Sequence, residues 1–326
     1  MVEGEIVHER LAVIIPTYQR PVHLRRCLAA LRAQARPGMT VVVVNDGPEP
    51  PGDAADSTHA IAADASATGE LPVQVLGTAG IGPTAARNRG LELVLADTDL
   101  IGFLDDDSVP APTWVDHCLR VFREFPTVAA QLGRIGPWRD GSSSGSRLWP
   151  GIRQKIYDSR DRQFTADAFR RQLEAALGLT LPAGLPGVAT HLSGNNAAVR
   201  AEVLREYGLF DERFRTMSDR ELALRLLGHG RIIAYNPEMY VEHDHDPSLV
   251  RALVRSCRAV PYQQLLESEY RSLTCAAVAC QRSVPFLVPL TPLERLYLWL
   301  HHGVRWLASR RSSPLHGEPL ARAPRR

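Results

Sequence analysis

Asp99-Leu100-Ile101-Gly102-Phe103-Leu104-Asp105-Asp106-Asp107 is the stretch that decides the fold. A short apolar run of this kind reads as a buried strand, and here it ends abruptly in three carboxylates. Adjacent like charges repel unless something positive sits among them. Hard divalent cations such as Mg²⁺ and Mn²⁺ take oxygen ligands and share them with substrate phosphates. The triplet therefore points to a metal-diphosphate site at a strand end. A solvated acidic turn ahead of the helix near Pro112 is the plainer alternative, and the triplet alone does not separate the two.

Working outward, the same arrangement recurs. Leu11 to Ile15 is an apolar run broken by Pro16-Thr17-Tyr18, after which Pro21 opens a helix with Leu24, Leu28 and Leu31 at helical spacing. Met39 to Val44 ends in Asn45-Asp46-Gly47, and Leu71 to Leu76 leads to a glycine-punctuated loop before the helix that Pro83 begins. Strand-helix alternation predicts an α/β fold with a mostly parallel sheet covered on both faces. Ligands bind such sheets at the carboxyl ends of strands. Thr17-Tyr18, Asn45-Asp46 and the aspartate triplet all fall there.

Composition agrees with a globular protein and argues against other classes. The chain has 326 residues, 44% hydrophobic and 23% charged, with a net charge of +2 that gives no reason to expect nucleic acid. Five cysteines, odd in number and without a CxxC pair, suit a reducing compartment rather than a disulfide scaffold. The opening MVEGEIVHER has no apolar signal core, and no apolar run reaches the roughly 18 residues of a spanning helix. A cytoplasmic location is expected. Residues 137–190, with a Gly-Ser run and an Arg-rich stretch, read as an insertion or cover; 248–311 read as helical and 312–326 as a flexible tail.

Six motifs in order then resemble family 2 glycosyltransferases of the GT-A fold. They are Ile15-Pro16-Thr17-Tyr18, Val44-Asn45-Asp46-Gly47, Ala86-Arg87-Asn88-Arg89-Gly90, the aspartate triplet, Ser193-Gly194-Asn195-Asn196 with Gly208-Leu209-Phe210-Asp211-Glu212, and Ser218-Asp219-Arg220-Glu221-Leu222. The resemblance covers about residues 10–245 within a catalytic domain of 1–247. It divides that domain into a nucleotide-binding half, 10–110, and an acceptor half, 111–247.

The resemblance implies inverting transfer of a sugar from a nucleotide-sugar donor, UDP-linked by preference, to a glycan, lipid-linked or small-molecule acceptor. It places Pro16, Thr17, Tyr18, Arg20, Asp46, Arg87, Asp105 and Asp106 around the donor, and Asp107 with His243 on a divalent metal, Mn²⁺ or Mg²⁺. Asp46 matches a base-reading carboxylate. Arg87, in the first turn of its helix, matches a residue near the nucleotide. Asp219 matches the general base, although the family's usual Glu-Asp-x-Asp-Leu is here Ser218-Asp219-Arg220-Glu221-Leu222. Inverting transfer needs one such base to take the acceptor proton; the alternative is that Asp219 or Ser218 only caps the helix.

Trp138, Asn195 and Asn196 are expected on the acceptor side, with Gly-Asn-Asn also a good turn. His245 could share a face with His243, whereas His191, His229, His301 and His302 are expected to be inert. The apolar, Arg-studded segment Phe286 to Trp306 fits a docked helix first, then a peripheral contact at the inner membrane face or a homodimer face. A nucleotidyltransferase shares the acidic sheet end but has no need of Asp219. A silent nucleotide-sugar binding protein is the other rival, because Ser218 and Glu221 depart from the pattern.

Overall fold

Seven consecutive buried residues, Leu11–Thr17, form β1, and the sheet grows outward from it. The computed structural model describes residues 9–50, 55–137, 148–244, 248–284 and 291–311. The strands are β1, β2 (Met39–Asn45), β3 (Val73–Gly77), β4 (Leu100–Phe103), β5 (Ser108–Pro110), β6 (Val128–Pro137), β7 (Ala197–Arg200) and β8 (Ile232–His243). Among the described residues they make one eight-stranded sheet in the order β3-β2-β1-β4-β7-β6-β8-β5. Strands β3, β2, β1 and β4 run parallel, as the sequence predicts. Beyond β4 the sheet is mixed, because β7 lies antiparallel to both β4 and β6, and β5 antiparallel to β8. The short β5 and the full length of β8 are not evident from sequence.

The helices are α1 (Pro21–Arg32), α2 (Thr58–Ser66), α3 (Pro83–Val94), α4 (Trp114–Glu124), α5 (Leu148–Thr165), α6 (Asp167–Leu177), α7 (Ala201–Tyr207) and α8 (Ser218–Gly228). A C-terminal set follows: α9 (Leu249–Arg258), α10 (Val260–Glu269), α11 (Arg271–Ser283) and α12 (Pro292–Arg311). Helix α3 lies on β1 and β2, α4 on β6 and β8, and α11 on α6 and α8. Gly90 explains how α3 comes so close to the sheet. A Cβ there would lie 2.8 Å from Ile14 Cγ2 and 3.0 Å from Val44 Cγ2, so any side chain would push the helix outward.

The motif residue two positions earlier joins the halves of the molecule. Asn88 donates to the Phe210 carbonyl (2.8 Å) and to Glu212 (3.0 Å), and its Oδ1 accepts from the Phe210 amide (3.1 Å). Phe210 in turn packs edge-on against Phe103 at 5.1 Å. A buried amide paired on both sides is favourable, and losing either partner leaves a costly orphan.

The described part of 137–190 is not a loose cover. Helices α5 and α6 seat Phe164, Phe169 and Leu173 in the main core. Few apolar residues do this work, so composition alone suggests a surface segment. Residues 138–147, including Trp138 and the Gly-Ser run, lie outside the described residues, as do His245 and the tail from 312.

Candidate active site

The carboxyl ends of β1, β2 and β4 open into a cleft of about 680 Å³. Lining it are Pro16, Thr17, Tyr18, Arg20, Asp46, Arg87, Asp105, Asp106, Asp107, Asn195, Asp219 and His243. Nearly every residue the sequence selects thus meets in one place.

Strand pairing assembles the acidic end. In the antiparallel β5–β8 register Ser108 faces His243, and the Asp244 amide donates to the Asp107 carbonyl (3.0 Å). This brings His243 Nε2 to 3.1 Å from Asp107 Oδ1. Asp105, Asp107 and His243 each offer a ligand atom, all within 4.8 Å of one another. Asp107 Oδ1 is buried beside His243 Nε2 without a hydrogen bond of good geometry, so a divalent cation shared by the two fits this donor set. Burial alone would raise the Asp107 carboxyl, but His243, Arg20 and His23 together hold it well below the usual range.

The three aspartates have different work. Asp105 is half-buried and receives Arg87 Nη2 at 2.5 Å. Asp106 is buried; one oxygen takes the Thr17 hydroxyl (2.7 Å) and the other Arg20 Nη1 (3.2 Å). Burial raises its pKa, with the neighbouring aspartates adding to the rise. Arg20 also bonds Asp107 at 2.7 Å, so one guanidinium bridges two carboxylates.

Arg87 is the fifth residue of α3, past the first turn rather than in it. Its guanidinium is therefore set by side-chain partners and not by the helix start. Gly194 makes room for it: a Cβ there would lie 2.7 Å from Arg87 Nη2.

On the same cleft wall Asp46 is buried under the loop that follows β3. Its Oδ1 accepts from the Thr78 hydroxyl and the Ile81 amide, both 2.7 Å, and its Oδ2 from the Gly82 amide at 2.7 Å. A carboxylate has about four acceptor positions, so one on Oδ2 remains. Tyr18 stands 55% exposed at the mouth, its ring open to stacking.

Asp219 does not cap its helix. The N-cap of α8 is Met217, in the left-handed region at φ +68° and without a side-chain cap. Ser218 is buried against the Thr84 hydroxyl (3.1 Å) instead. The carboxylate of Asp219 is aimed by two amides, Gly194 N on Oδ2 (3.0 Å) and Arg220 N on Oδ1 (2.9 Å). Strain of this kind beside a functional group is tolerated where surrounding contacts over-determine it. Glu221 turns to other duties: it is buried, paired with Arg225 (2.9 Å) and accepts from the Tyr270 hydroxyl (2.6 Å).

Asn195 lines the cleft, but Asn196 does not. Asn196 is fully buried, donating to the carbonyls of Arg134 and Met239 (both 2.8 Å) and accepting from Trp114 Nε1 (2.8 Å). It ties β6, β8 and α4 together from inside. Sequence reading missed Arg153, Ser193, Arg215, Thr216 and Arg255 on the cleft wall. The Arg-rich stretch within 137–190, which reads as cover, is the signal that could have found Arg153.

Comparison with known proteins places this geometry. The description Glycosyltransferase like family 2 matches residues 8–261. The pre-mycofactocin glycosyltransferase of Mycobacterium tuberculosis is 29% identical over 244 residues, 74% of this chain and 44% of that protein. The succinoglycan biosynthesis protein ExoW of Rhizobium meliloti is 37% identical over 117 residues, 36% of this chain and 34% of that protein. The chain spans less than half the length of these curated relatives. Among solved structures, the mannosyltransferase PcManGT of Pyrobaculum calidifontis, in complex with GDP-Man and Mn²⁺, superposes with a TM-score of 0.59 at 14% identity, covering 94% of this chain and 87% of that one. S. aureus TarS gives 0.51 at 15% identity, over 92% of this chain and 49% of that one.

The sheet order and the likeness to these structures define a GT-A fold. Within that class the chain belongs to glycosyltransferase family 2.

Proposed function

We propose that this enzyme moves a sugar from a UDP-linked donor to an acceptor hydroxyl, with inversion at the anomeric carbon. The observation that carries the reading is one cleft holding the Asp105–Asp107–His243 cluster and an amide-aimed Asp219 together. In this reading Tyr18 stacks on the base and the remaining acceptor position of Asp46 takes an imide N–H. Asp105 and Arg87 face the ribose and diphosphate. A divalent cation held by Asp107 and His243, with Asp105 close by, would neutralise charge on the departing diphosphate.

Asp219 receives the acceptor proton on a carboxylate oxygen. As it does so, the acceptor oxygen bonds to the anomeric carbon, the bond from that carbon to the phosphate oxygen breaks, and UDP leaves. Gly194 N–H keeps the base from rotating out of line. Asn195 sits on the acceptor side, and Asn196 supports it from behind.

PcManGT and TarS supply context for the donor, since the one structure contains GDP-Man and Mn²⁺ and another of TarS contains UDP. A thermal-shift panel of UDP-, GDP- and dTDP-sugars with Mn²⁺ tests the assignment. UDP-sugars are expected to raise the melting temperature by a few degrees, about what saturation at 100 times Kd supplies. A response to GDP-sugars alone would overturn the UDP assignment.

We divide the chain into a catalytic part, 1–247, and the helices of 248–311. Helix α12 docks through Glu294 on Lys155 (2.7 Å) and His301 on Ser256 (2.8 Å). Its other face presents Leu293, Leu296, Trp299, Leu300 and Trp306, with Trp299 71% exposed and Arg310 lying 4.0 Å over the Trp306 ring. Among the described residues no helix is long and apolar enough to cross a membrane. An amphipathic face bearing Trp and Arg instead suits the surface of an anionic bilayer, which would place the enzyme at the inner membrane face. The full chain is expected to co-sediment with phosphatidylglycerol vesicles and not with phosphatidylcholine. Trp299→Ser with Trp306→Ser should weaken this by about tenfold. Self-association without sedimentation would assign the face to a dimer.

A further inference from the structure

Past Asp219, on the wall it shares with Ser193 and Thr216, the cleft continues into a second cavity of about 310 Å³. Arg160 and Arg220 line it, and both also line a smaller cavity behind. Among the described residues neither guanidinium forms an ion pair with a carboxylate. Two acids share the first wall, and both are committed elsewhere. Asp161 pairs with Arg134 (2.8 Å) and accepts from the Tyr235 hydroxyl. Asp219 is held by the Gly194 and Arg220 amides. A third wall residue, Arg153, bonds the Tyr157 hydroxyl at 2.6 Å.

The electrostatics are correspondingly one-sided. Burial, and then repulsion from Arg220, pulls the Arg160 guanidinium down to about 10. Burial followed by the same two arginines pushes the His191 imidazole well below its ordinary range, so it is neutral at pH 7. Glu267 lines the cavity behind, but a partly buried guanidinium beside another, with no carboxylate in ion-pair contact among the described residues, is unfavourable by itself. It is favourable as soon as an anion enters, and paired guanidiniums recognise the planar oxygens of carboxylate or phosphate.

We propose that this cavity binds an anionic group, carboxylate or phosphate, carried by the acceptor near the hydroxyl that is glycosylated. The proposal rests on Asp219 marking the acceptor side, since Asp219 lines both cavities. The acceptor is then a hydroxylated acid, such as a uronic-acid unit or a sugar phosphate, with its hydroxyl at Asp219 and its charge on Arg160 and Arg220.

The test saturates the full chain with UDP and Mn²⁺, so that the donor side is filled. Methyl glucuronide, glucose 6-phosphate and neutral methyl glucoside are then titrated while melting temperature is followed. One or both acids are expected to raise it by a few degrees, and the glucoside to leave it unchanged. Which acid responds separates carboxylate from phosphate. The Arg160→Gln/Arg220→Gln double variant should lose the acid response yet bind UDP with Mn²⁺ within about threefold of wild type. Arg220 is exposed, so Arg220→Gln alone tests the idea should the double variant melt early; its response should fall at least about threefold. A glucoside shift equal to that of the acids, or an undiminished acid response in Arg220→Gln and the double variant, would overturn the proposal. A wild-type chain that fails to bind UDP with Mn²⁺ marks failure of the donor reading instead, and that titration is read separately.

Discussion

Asp219→Asn is expected to lower turnover by about 10²–10⁴-fold while leaving UDP affinity within about threefold. The substitution preserves size but removes the only atom set that could take the acceptor proton at this position. It also carries a structural cost that has to be separated from the chemical one. Both oxygens of Asp219 accept from main-chain amides, Gly194 N and Arg220 N. An asparagine offers one oxygen and one NH₂, so one amide must face a donor, at a cost of about 1–3 kcal/mol. A modest fall in melting temperature should therefore accompany the loss of turnover. Turnover within about tenfold of wild type, with nucleotide binding intact, would remove Asp219 from the role of base.

The second large effect concerns the acidic end. Asp107→Ala should abolish the Mn²⁺-dependent part of UDP binding, a loss of at least about 100-fold judged from the 10–100-fold cost of disturbing even outer metal partners. Chelation of the wild-type protein should reproduce it. Asp107 also receives Arg20 and stands beside His243, so Asp107→Asn is the milder companion: it keeps an oxygen for Arg20 but halves the ligand capacity. If calorimetric UDP isotherms are the same with and without Mn²⁺ in wild type and variant alike, no metal bridge exists.

Much of this site could be read before any coordinates. Buried strands that stop at Thr17, Asn45-Asp46 and Asp105 announce a common edge, because parallel strands sharing a sheet deliver their carboxyl ends together. Six ordered motifs added the family and, with it, Asp219 and His243. What could not be read is whatever depends on register or on the far partner of a side chain. The three-residue β5 is too short to show a period, yet it brings His243 to Asp107. Asn196 looks like a turn residue, and only the carbonyls of Arg134 and Met239 reveal it as an internal tie. Arg160 and Arg220 lie 60 positions apart in sequence and look like ordinary surface charge until the fold sets them on one wall. The Arg-rich stretch around 153–162 reads as cover because apolar residues are sparse there, yet Tyr157, Phe164, Phe169 and Leu173 reach the core.

The bond from the Tyr270 hydroxyl to Glu221 bears on how such enzymes are recombined. Helix α8 carries Asp219 on its cleft side, while on its outer side Leu224 packs with Leu265 and Leu266 of α10 around Phe214. A chimera that takes 1–247 from this chain and its C-terminal helices from a relative would leave the Glu221 carboxylate buried with one partner fewer. The compatible unit of exchange is α8 together with α10, so the helix that carries Asp219 and the C-terminal helices should be inherited as a pair.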